Sequence, residues 1–238
     1  MEIRGRAAVV TGGSRGIGQA IVERLAQAGA EVLVVDVEEP EEAAFFRADV
    51  TRDGDVERMI AEAERRFGGL DILVNNVGNY EEPVFPDAPI EHWTGNLDLN
   101  LRSVTLGIHF AVRAMAKRGG GAIVSIASTA GLGFAPHPGP EYAAAKAAVM
   151  RLTACLAPLA DRGIRVNCVC PHTVATEAVR ETIEQLQTEG HALPWDLEGV
   201  LLEPEEVADA VVELIRDDTL AGRIMVCRGG EPPRLLEA

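Results

Sequence analysis

The amino-acid sequence predicts an α/β fold, with a doubly wound, seven-stranded parallel sheet and helices on both of its faces. Short apolar runs alternate with longer segments of helical periodicity, which is typical of parallel sheets. The apolar runs are continuous rather than alternating, as in strands that are covered on both faces. No linker, repeat or low-complexity segment divides the chain, so residues 1–238 are expected to form a single domain.

The predicted strands are the short apolar runs, taken in chain order. They are residues 7–10, 32–35, 45–48, 72–74, 122–126, 164–169 and 223–227. The predicted helices are residues 16–29, 56–67, 96–118, 142–159 and 204–215. In the first helix the apolar residues Ile17, Ile21, Leu25 and Ala28 follow a 3.6-residue period, and Gly29 is a typical C-terminal residue.

Three stretches lack a regular pattern: residues 80–89, 131–140 and 176–204. Each follows the carboxyl end of a predicted strand, which is the edge where open α/β sheets bind ligands. The longest of them is therefore expected to form a substrate lid near residues 176–204.

Composition excludes several classes of function. The net charge is −15, so phosphate backbones and anionic lipid surfaces are poor partners. No apolar run reaches about 18 residues and no secretory signal precedes the first strand, which predicts a cytoplasmic protein without a membrane span. The four cysteines form no ligand or disulfide framework, so they are interpreted as buried small hydrophobic residues and no metal site is expected.

The segment between the first strand and the first helix is rich in glycine, with Gly12, Gly13, Gly16 and Gly18 in eight residues. Glycines let the backbone turn sharply and approach a pyrophosphate, and the following helix N-terminus offers free N–H groups. The spacing differs from the G-x-G-x-x-G fingerprint, so a purely structural turn remains an alternative at this point.

The second strand ends at Asp36, 18 residues after Gly18. A carboxylate there can accept hydrogen bonds from an adenosine ribose. Glu38, Glu39, Glu41 and Glu42 follow and make the neighbourhood unfavourable for an additional phosphate. This pattern favours NAD over NADP.

Tyr142 and Lys146 are four residues apart and so share one face of a predicted helix. An ammonium group close to a phenol favours the phenolate and lowers the phenol pKa. Ser128 follows the fifth predicted strand and can hold a substrate oxygen beside the phenol. Chance remains an alternative for the Tyr–Lys pair alone, although the chain has only two Tyr and two Lys.

Taken together, these motifs resemble the classical short-chain dehydrogenase/reductase family over nearly the whole chain. The matching positions are Gly12, Gly16, Gly18, Asp49, Val50, Asn75-Asn76-Val77-Gly78, Asn100, Ser128, Tyr142, Lys146 and Asn167. The resemblance implies a Rossmann-type fold and an oxidoreductase that transfers a hydride between NAD(H) and an alcohol or carbonyl group. It also implies a homotetramer with a small-molecule substrate.

The resemblance implies a role for each catalytic position. Tyr142 would exchange a proton with the substrate, and Ser128 would polarise and position the substrate oxygen. Lys146 would lower the Tyr142 pKa and bind the nicotinamide ribose, while Asn100 would hold a water that links Lys146 to solvent. The residues implied to bind the cofactor are Gly12, Ser14, Arg15, Gly16, Ile17, Gly18, Asp36, Asp49, Val50, Asn76, Gly78, Tyr142, Lys146, Pro171, Val174 and Thr176.

Two histidines depart from the family pattern. His172 stands where the family usually has glycine, and His137 lies in a proline-rich loop that is expected at the pocket mouth. Each is interpreted either as a pocket residue or as an ordinary loop residue. The other candidate pocket residues are Asn79, Tyr80, Thr129, Leu193 and Trp195. They would suit a mid-sized, partly apolar hydroxy compound, and the direction of the reaction stays open.

Two other functions remain alternatives. Arg15 can meet a 2′-phosphate, which favours an NADPH-dependent 3-oxoacyl-thioester reductase, although Asp36 opposes it. A non-catalytic nucleotide-sensing or scaffold protein on the same fold is the second alternative. Such a protein would be expected to lack at least one of Asn100, Ser128, Tyr142 and Lys146.

Overall fold

The structure is a computed structural model that describes residues 1–40, 43–80, 86–134, 136–193 and 199–236. In these ranges the sheet has eight strands in the order β3-β2-β1-β4-β5-β6-β7-β8. The strands are β1 Ala7–Thr11, β2 Glu31–Asp36, β3 Ala44–Arg47, β4 Ile72–Asn75, β5 Gly121–Ile126, β6 Ile164–Pro171, β7 Ile224–Cys227 and β8 Arg234–Leu235.

The first seven strands are parallel, which confirms the predicted sheet. The structure adds one short edge strand to the predicted seven, since β8 pairs antiparallel with β7. β8 has only two residues, which is too short for an apolar run to reveal it.

The helices of the described ranges are α1 Gly16–Gln27, α2 Asp53–Phe67, α3 Ile90–Leu97, α4 Ser103–Lys117, α5 Pro140–Cys155, α6 Glu177–Thr188 and α7 Pro204–Arg216. The predicted helix 96–118 is wrong at its start, because a π-helical turn, Asp98–Arg102, separates α3 from α4. The predicted helix 142–159 ends early at Cys155, and a 3₁₀ turn that contains Pro158 follows. Pro158 cannot continue an α-helix because it has no N–H to donate. Within these ranges no helix is long and apolar enough to span a membrane.

The predicted irregular stretch 176–204 is wrong over the range of α6. Thr176 begins this helix as its N-cap, with its Oγ1 accepting a hydrogen bond from the Val179 N–H at 3.4 Å. None of the residues of α6 is buried. An apolar stripe that faces a core is the signal by which helices are found in a sequence, and α6 contributes no buried residue to the core.

Two hydrophobic layers cover the sheet. On one face α2, α4 and α5 pack their apolar residues on the strands, and on the other face α1 and α7 do the same. The strand order reverses between β1 and β4, so a crevice opens at the carboxyl ends of these two strands. In doubly wound sheets this switch point is the place where ligands bind.

The cysteines follow the predicted burial at three positions. Cys168 and Cys170 are buried in the same hydrophobic layer and Cys227 is buried in the other. Burial raises the pKa of the Cys168 thiol to about 12, which keeps it protonated at neutral pH. The prediction is wrong for Cys155, which is exposed because it is the last residue of α5.

Candidate active site

The glycine loop between β1 and α1 requires glycine at several of its positions. A Cβ atom on Gly18 would lie 1.9 Å from the Gly12 carbonyl oxygen, and both Gly12 and Gly16 have left-handed backbone angles. Arg15, the N-cap residue of α1, provides no side-chain acceptor for the first-turn N–H groups. These groups and the helix dipole fit the pyrophosphate of a dinucleotide.

Asp36 lies beside this loop at the end of β2. Its Oδ2 accepts a hydrogen bond from the Ser14 N–H at 3.1 Å, and its Oδ1 accepts from the N–H groups of Val37 at 2.7 Å and Glu38 at 3.3 Å. The carboxylate is half-buried and fixed before any ligand binds. Its remaining lone pairs fit the hydroxyls of an adenosine ribose.

Arg15 is oriented toward Glu38 rather than Asp36. Its Nη1 lies 3.6 Å from Glu38 Oε2, and 81% of its side chain is exposed. Glu38 is therefore the residue that competes with any phosphate for this guanidinium. Glu41 and Glu42, which were also expected at this turn, lie outside the described residues.

Two other loops meet the glycine loop. The Asn76 Nδ2 donates hydrogen bonds to the carbonyl oxygens of Thr11 at 3.1 Å and Gly12 at 3.0 Å. A Cβ on Gly16 would lie 3.3 Å from the Thr176 methyl group, so the loop after β6 also meets the glycine loop. Asn76 thus holds the glycine loop in place, and its amide hydrogens are already used.

Tyr142 and Lys146 lie on adjacent turns of α5, as predicted from their spacing. The Lys146 Nζ is 5.5 Å from the centre of the Tyr142 ring and donates a hydrogen bond to the Ile126 carbonyl oxygen at 3.0 Å. Ser128 lies two residues after the end of β5, and its Oγ accepts a hydrogen bond from the Ala130 N–H at 3.1 Å. The carboxyl end of β5 therefore brings the serine and the lysine to one place.

The pKa values of this pair differ from the expectation. Burial raises the pKa of the Tyr142 phenol, and its hydrogen bond with Ser128 offsets only part of the effect. Burial also lowers the pKa of Lys146 to about 8. The expected lowering of the phenol pKa by Lys146 therefore stays a prediction for the cofactor-bound enzyme, because in the protein alone desolvation is the largest effect on Tyr142.

Asn100 lies in the π-helical turn and is fully buried. Its Nδ2 donates to Asn96 Oδ1 at 3.1 Å and to the Asn79 carbonyl oxygen at 2.9 Å, while its Oδ1 accepts from the Asn79 N–H at 3.2 Å. A Cβ on Gly78 would lie 2.6 Å from Lys146 Nζ and 2.8 Å from Asn100 Oδ1. Gly78 therefore allows the asparagine and the lysine to approach each other.

The other expected cofactor residues line the same edge of the sheet. Asp49 accepts hydrogen bonds from the Thr51 hydroxyl at 2.6 Å and from the Thr51 N–H at 3.0 Å, and the hydroxyl hydrogen bond lowers the pKa of Asp49. Val50 is buried beneath it. Pro171 ends β6, and Val174 forms a parallel bridge with Leu202 that joins the loop after β6 to the chain before α7.

The two histidines have different surroundings. The His137 ring packs against Tyr80 and Tyr142, with ring centres 5.5 and 5.9 Å away. His172 instead lines a cavity of about 160 Å³ with Thr173, Arg228 and other residues. Its Nδ1 accepts a hydrogen bond from the Thr173 N–H at 2.7 Å. Trp195, another expected pocket residue, lies outside the described residues.

Sequence reasoning missed Glu141, which directly precedes Tyr142. Its side chain is 1% exposed, and neither carboxylate oxygen has a hydrogen-bond partner within the described part of the chain. An isolated glutamate at a helix N-terminus is usually solvated, so no sequence signal indicated this burial.

Comparisons with known proteins identify the family of this chain. The family model described as short chain dehydrogenase matches residues 6–187. The chain belongs to the short-chain dehydrogenase family. It is 36% identical to (+)-borneol dehydrogenase 2 of Salvia officinalis, over 97% of this chain and 90% of the relative.

Two other short-chain dehydrogenases are similar over most of their length. The chain is 32% identical to 15-hydroxyprostaglandin dehydrogenase [NAD(+)] of Rattus norvegicus, over 94% of this chain and 91% of the relative. The ligand-free structure of Thermoplasma acidophilum aldohexose dehydrogenase superimposes with a TM-score of 0.85 and 28% identity, and the match covers 96% of this chain and 94% of that one.

This short-chain dehydrogenase is an oxidoreductase that transfers a hydride between NAD(H) and an alcohol or carbonyl substrate. The predicted family, the enzyme class and the NAD cofactor are confirmed. The non-catalytic alternative is not supported, because the chain belongs to an enzyme family and retains Asn100, Ser128, Tyr142 and Lys146. The NADPH-dependent alternative is not supported either, since it was based on Arg15 meeting a 2′-phosphate and this residue pairs with Glu38.

Proposed function

We propose that this short-chain dehydrogenase oxidises a secondary alcohol on a mid-sized, largely apolar carbon skeleton, with NAD⁺ as hydride acceptor. The observation that carries the proposal is the pair formed by half-buried Tyr142 and buried Lys146 beside an aromatic wall formed by Tyr80 and His137. The names of the relatives support it, since one acts on borneol and another on a hydroxyprostaglandin. Turnover of NAD⁺ with a panel of secondary alcohols tests the proposal.

In this proposal the Tyr142 phenolate takes the proton of the substrate hydroxyl. The carbinol carbon loses a hydride, and the substrate becomes a carbonyl compound. NAD⁺, when bound, would supply the hydride acceptor. The Ser128 hydroxyl donates a hydrogen bond to the substrate oxygen and so fixes its position beside the phenol.

Lys146 and Asn100 support Tyr142 from behind. The Lys146 ammonium stabilises the phenolate and binds the nicotinamide ribose, and Asn100 holds a water that connects Lys146 to solvent. Support comes from the close approach of Lys146 and Asn100, both buried, at Gly78. Burial raises the pKa of Tyr142 in the protein without cofactor. In this proposal the positive charges near Tyr142 in the cofactor-bound enzyme lower this pKa again.

The cofactor roles follow the edge of the sheet. Gly12, Ser14, Arg15, Gly16, Ile17 and Gly18 form the pyrophosphate loop, and Asp36 binds the adenosine ribose. Asp49, Val50, Asn76 and Gly78 line the adenosine side. Pro171, Val174 and Thr176 hold the nicotinamide carboxamide. Residues 1–238 act as one catalytic domain, with a substrate lid at 176–204 that includes α6.

We expect kcat/KM with NAD to exceed that with NADP by at least about tenfold, or about 1.4 kcal/mol. The reason is repulsion between a 2′-phosphate and the Asp36 carboxylate, whose position is fixed by three backbone N–H groups. Replacing Asp36→Ala should narrow or invert this preference, as measured by steady-state kinetics with both cofactors.

Glu39→Ala is the matched control, because Glu39 is exposed on the same turn. If overall charge alone set the preference, the two substitutions would narrow it equally. An enzyme that prefers NADP, or a preference that Asp36→Ala leaves untouched, contradicts the assignment of Asp36.

The enzyme is proposed to be a cytoplasmic homotetramer built on α4 and α5. These helices carry half-exposed apolar side chains besides their buried stripes, for example Leu106 and Phe110 on α4 and Leu152 on α5. A second apolar face is expected to pack against another subunit. Light scattering should return about four times the chain mass of 25.4 kDa, or twice that mass if the assembly stops at a dimer. A monomer at micromolar concentration would refute this expectation.

A further inference from the structure

Three aromatic rings meet at the entrance to the proposed active site. The ring centres of Tyr80 and His137 are 5.5 Å apart, those of Tyr80 and Tyr142 are 5.8 Å apart, and those of His137 and Tyr142 are 5.9 Å apart. His137 is therefore a direct neighbour of the residue that is proposed to exchange the substrate proton.

Gly139 makes this arrangement possible. A Cβ atom at this position would lie 2.4 Å from Cε2 and 2.6 Å from Cδ2 of the Tyr80 ring. Pro136 and Pro138 restrict the backbone on both sides of His137. The ring of His137 is thus held at the site by its own loop and by its aromatic neighbours.

The hydrogen bonds of His137 determine where its proton lies. The Gly139 N–H donates to Nδ1 at 3.0 Å, so the neutral ring carries its hydrogen on Nε2. In the protonated ring Nδ1–H instead faces the Gly139 carbonyl oxygen, 3.1 Å away. Nε2 therefore bears a hydrogen in both states, and within the described ranges no group of the protein accepts it.

We propose that His137 is a specificity-determining residue, whose Nε2–H donates a hydrogen bond to a second oxygen of the substrate. This inference rests on the proposed function and adds a substrate class to it. Because His137 is adjacent to Tyr142, the second oxygen lies close to the reacting carbon. The favoured substrates are diols, hydroxy ketones or hydroxy acids with oxygens on adjacent or next-but-one carbons, and the Tyr80 ring packs on their apolar skeleton.

The test compares two probes that differ only in the second oxygen, cyclohexanol and trans-cyclohexane-1,2-diol. His137→Phe keeps a ring and removes the donor. We expect this variant to lower kcat/KM for the diol about tenfold more than kcat/KM for cyclohexanol, mainly through KM, because phenylalanine keeps an aromatic ring and lacks the donor. His137→Gln restores a donor and should recover part of the activity on the diol.

A measurement without turnover accompanies the kinetics. In the ¹⁵N spectrum of the free protein, the signal that His137→Phe removes should show the hydrogen on Nε2. Equal losses on both probes, no loss on either, or a hydrogen on Nδ1 would overturn this inference while leaving alcohol oxidation intact. If the wild-type enzyme oxidised neither of the two probes, that result would instead refute the proposed function and this inference with it.

Discussion

Replacing Tyr142 by phenylalanine is expected to lower kcat for alcohol oxidation by about 10²- to 10⁴-fold, the usual loss when a general base is removed. The phenol is the hydroxyl proposed to take the substrate proton, and the substitution retains the ring and the helix. The affinity for NAD should change little, because the phenol is proposed to contact mostly the substrate oxygen.

Steady-state kinetics and a separate NAD titration together test this role. An unchanged circular dichroism spectrum and melting temperature would show that the variant is folded. If Tyr142→Phe keeps more than about a tenth of the wild-type kcat, another group exchanges the proton.

Lys146→Met is expected to make the protein without cofactor more stable while lowering kcat/KM about 10²-fold or more. Burial depresses the Lys146 pKa from 10.5 to about 8 in the folded protein, so keeping the lysine charged weakens the fold below pH 8. At 1.36 kcal/mol per pKa unit this penalty is about 3 kcal/mol at pH 7.

The sign of this effect gives a pH test. Lys146 binds its proton more tightly in the unfolded chain than in the folded protein. The free energy of unfolding of the wild type should therefore rise toward that of Lys146→Met between about pH 8 and pH 10.5, and the difference between them should vanish above that range. Lys117→Met is the matched control, because Lys117 is exposed and forms an ion pair with Glu64. Urea unfolding of the three proteins at pH 7 and pH 10 measures both effects, and a less stable Lys146→Met protein at pH 7 would contradict the argument.

The parallel sheet could be predicted because its strands are buried on both faces and leave continuous apolar runs. The predicted run 72–74 and the observed strand Ile72–Asn75 differ by one residue, and the others differ by similar amounts. β8 and α6 were not predicted because neither contributes buried residues to the core, so neither leaves an apolar pattern in the sequence.

Residue type and order were enough to select candidate site residues such as Gly12, Asp36 and Lys146, whose roles stay predictions. Spacing along the chain did not reveal properties that depend on packing in three dimensions. Desolvation of Tyr142, the burial of Glu141 and the contact of Tyr80 with Gly139 all arise from distant segments that meet only in the folded chain.

The π-helical turn Asp98–Arg102 has a consequence for insertions and deletions. A π-helical turn contains one residue more than an α-helical turn, because its backbone hydrogen bonds join residues five apart and not four. Such turns are frequent at functional sites. Deleting one residue there would let α3 and α4 join as one regular helix, but each residue of an α-helix turns the chain by about 100°. Asn96 and α3 would rotate by that angle relative to α4. Deleting one residue from the π-helical turn would thus disrupt the buried contacts of Asn100. The proposed active site therefore depends on the number of residues in this turn, whatever the identity of the extra one.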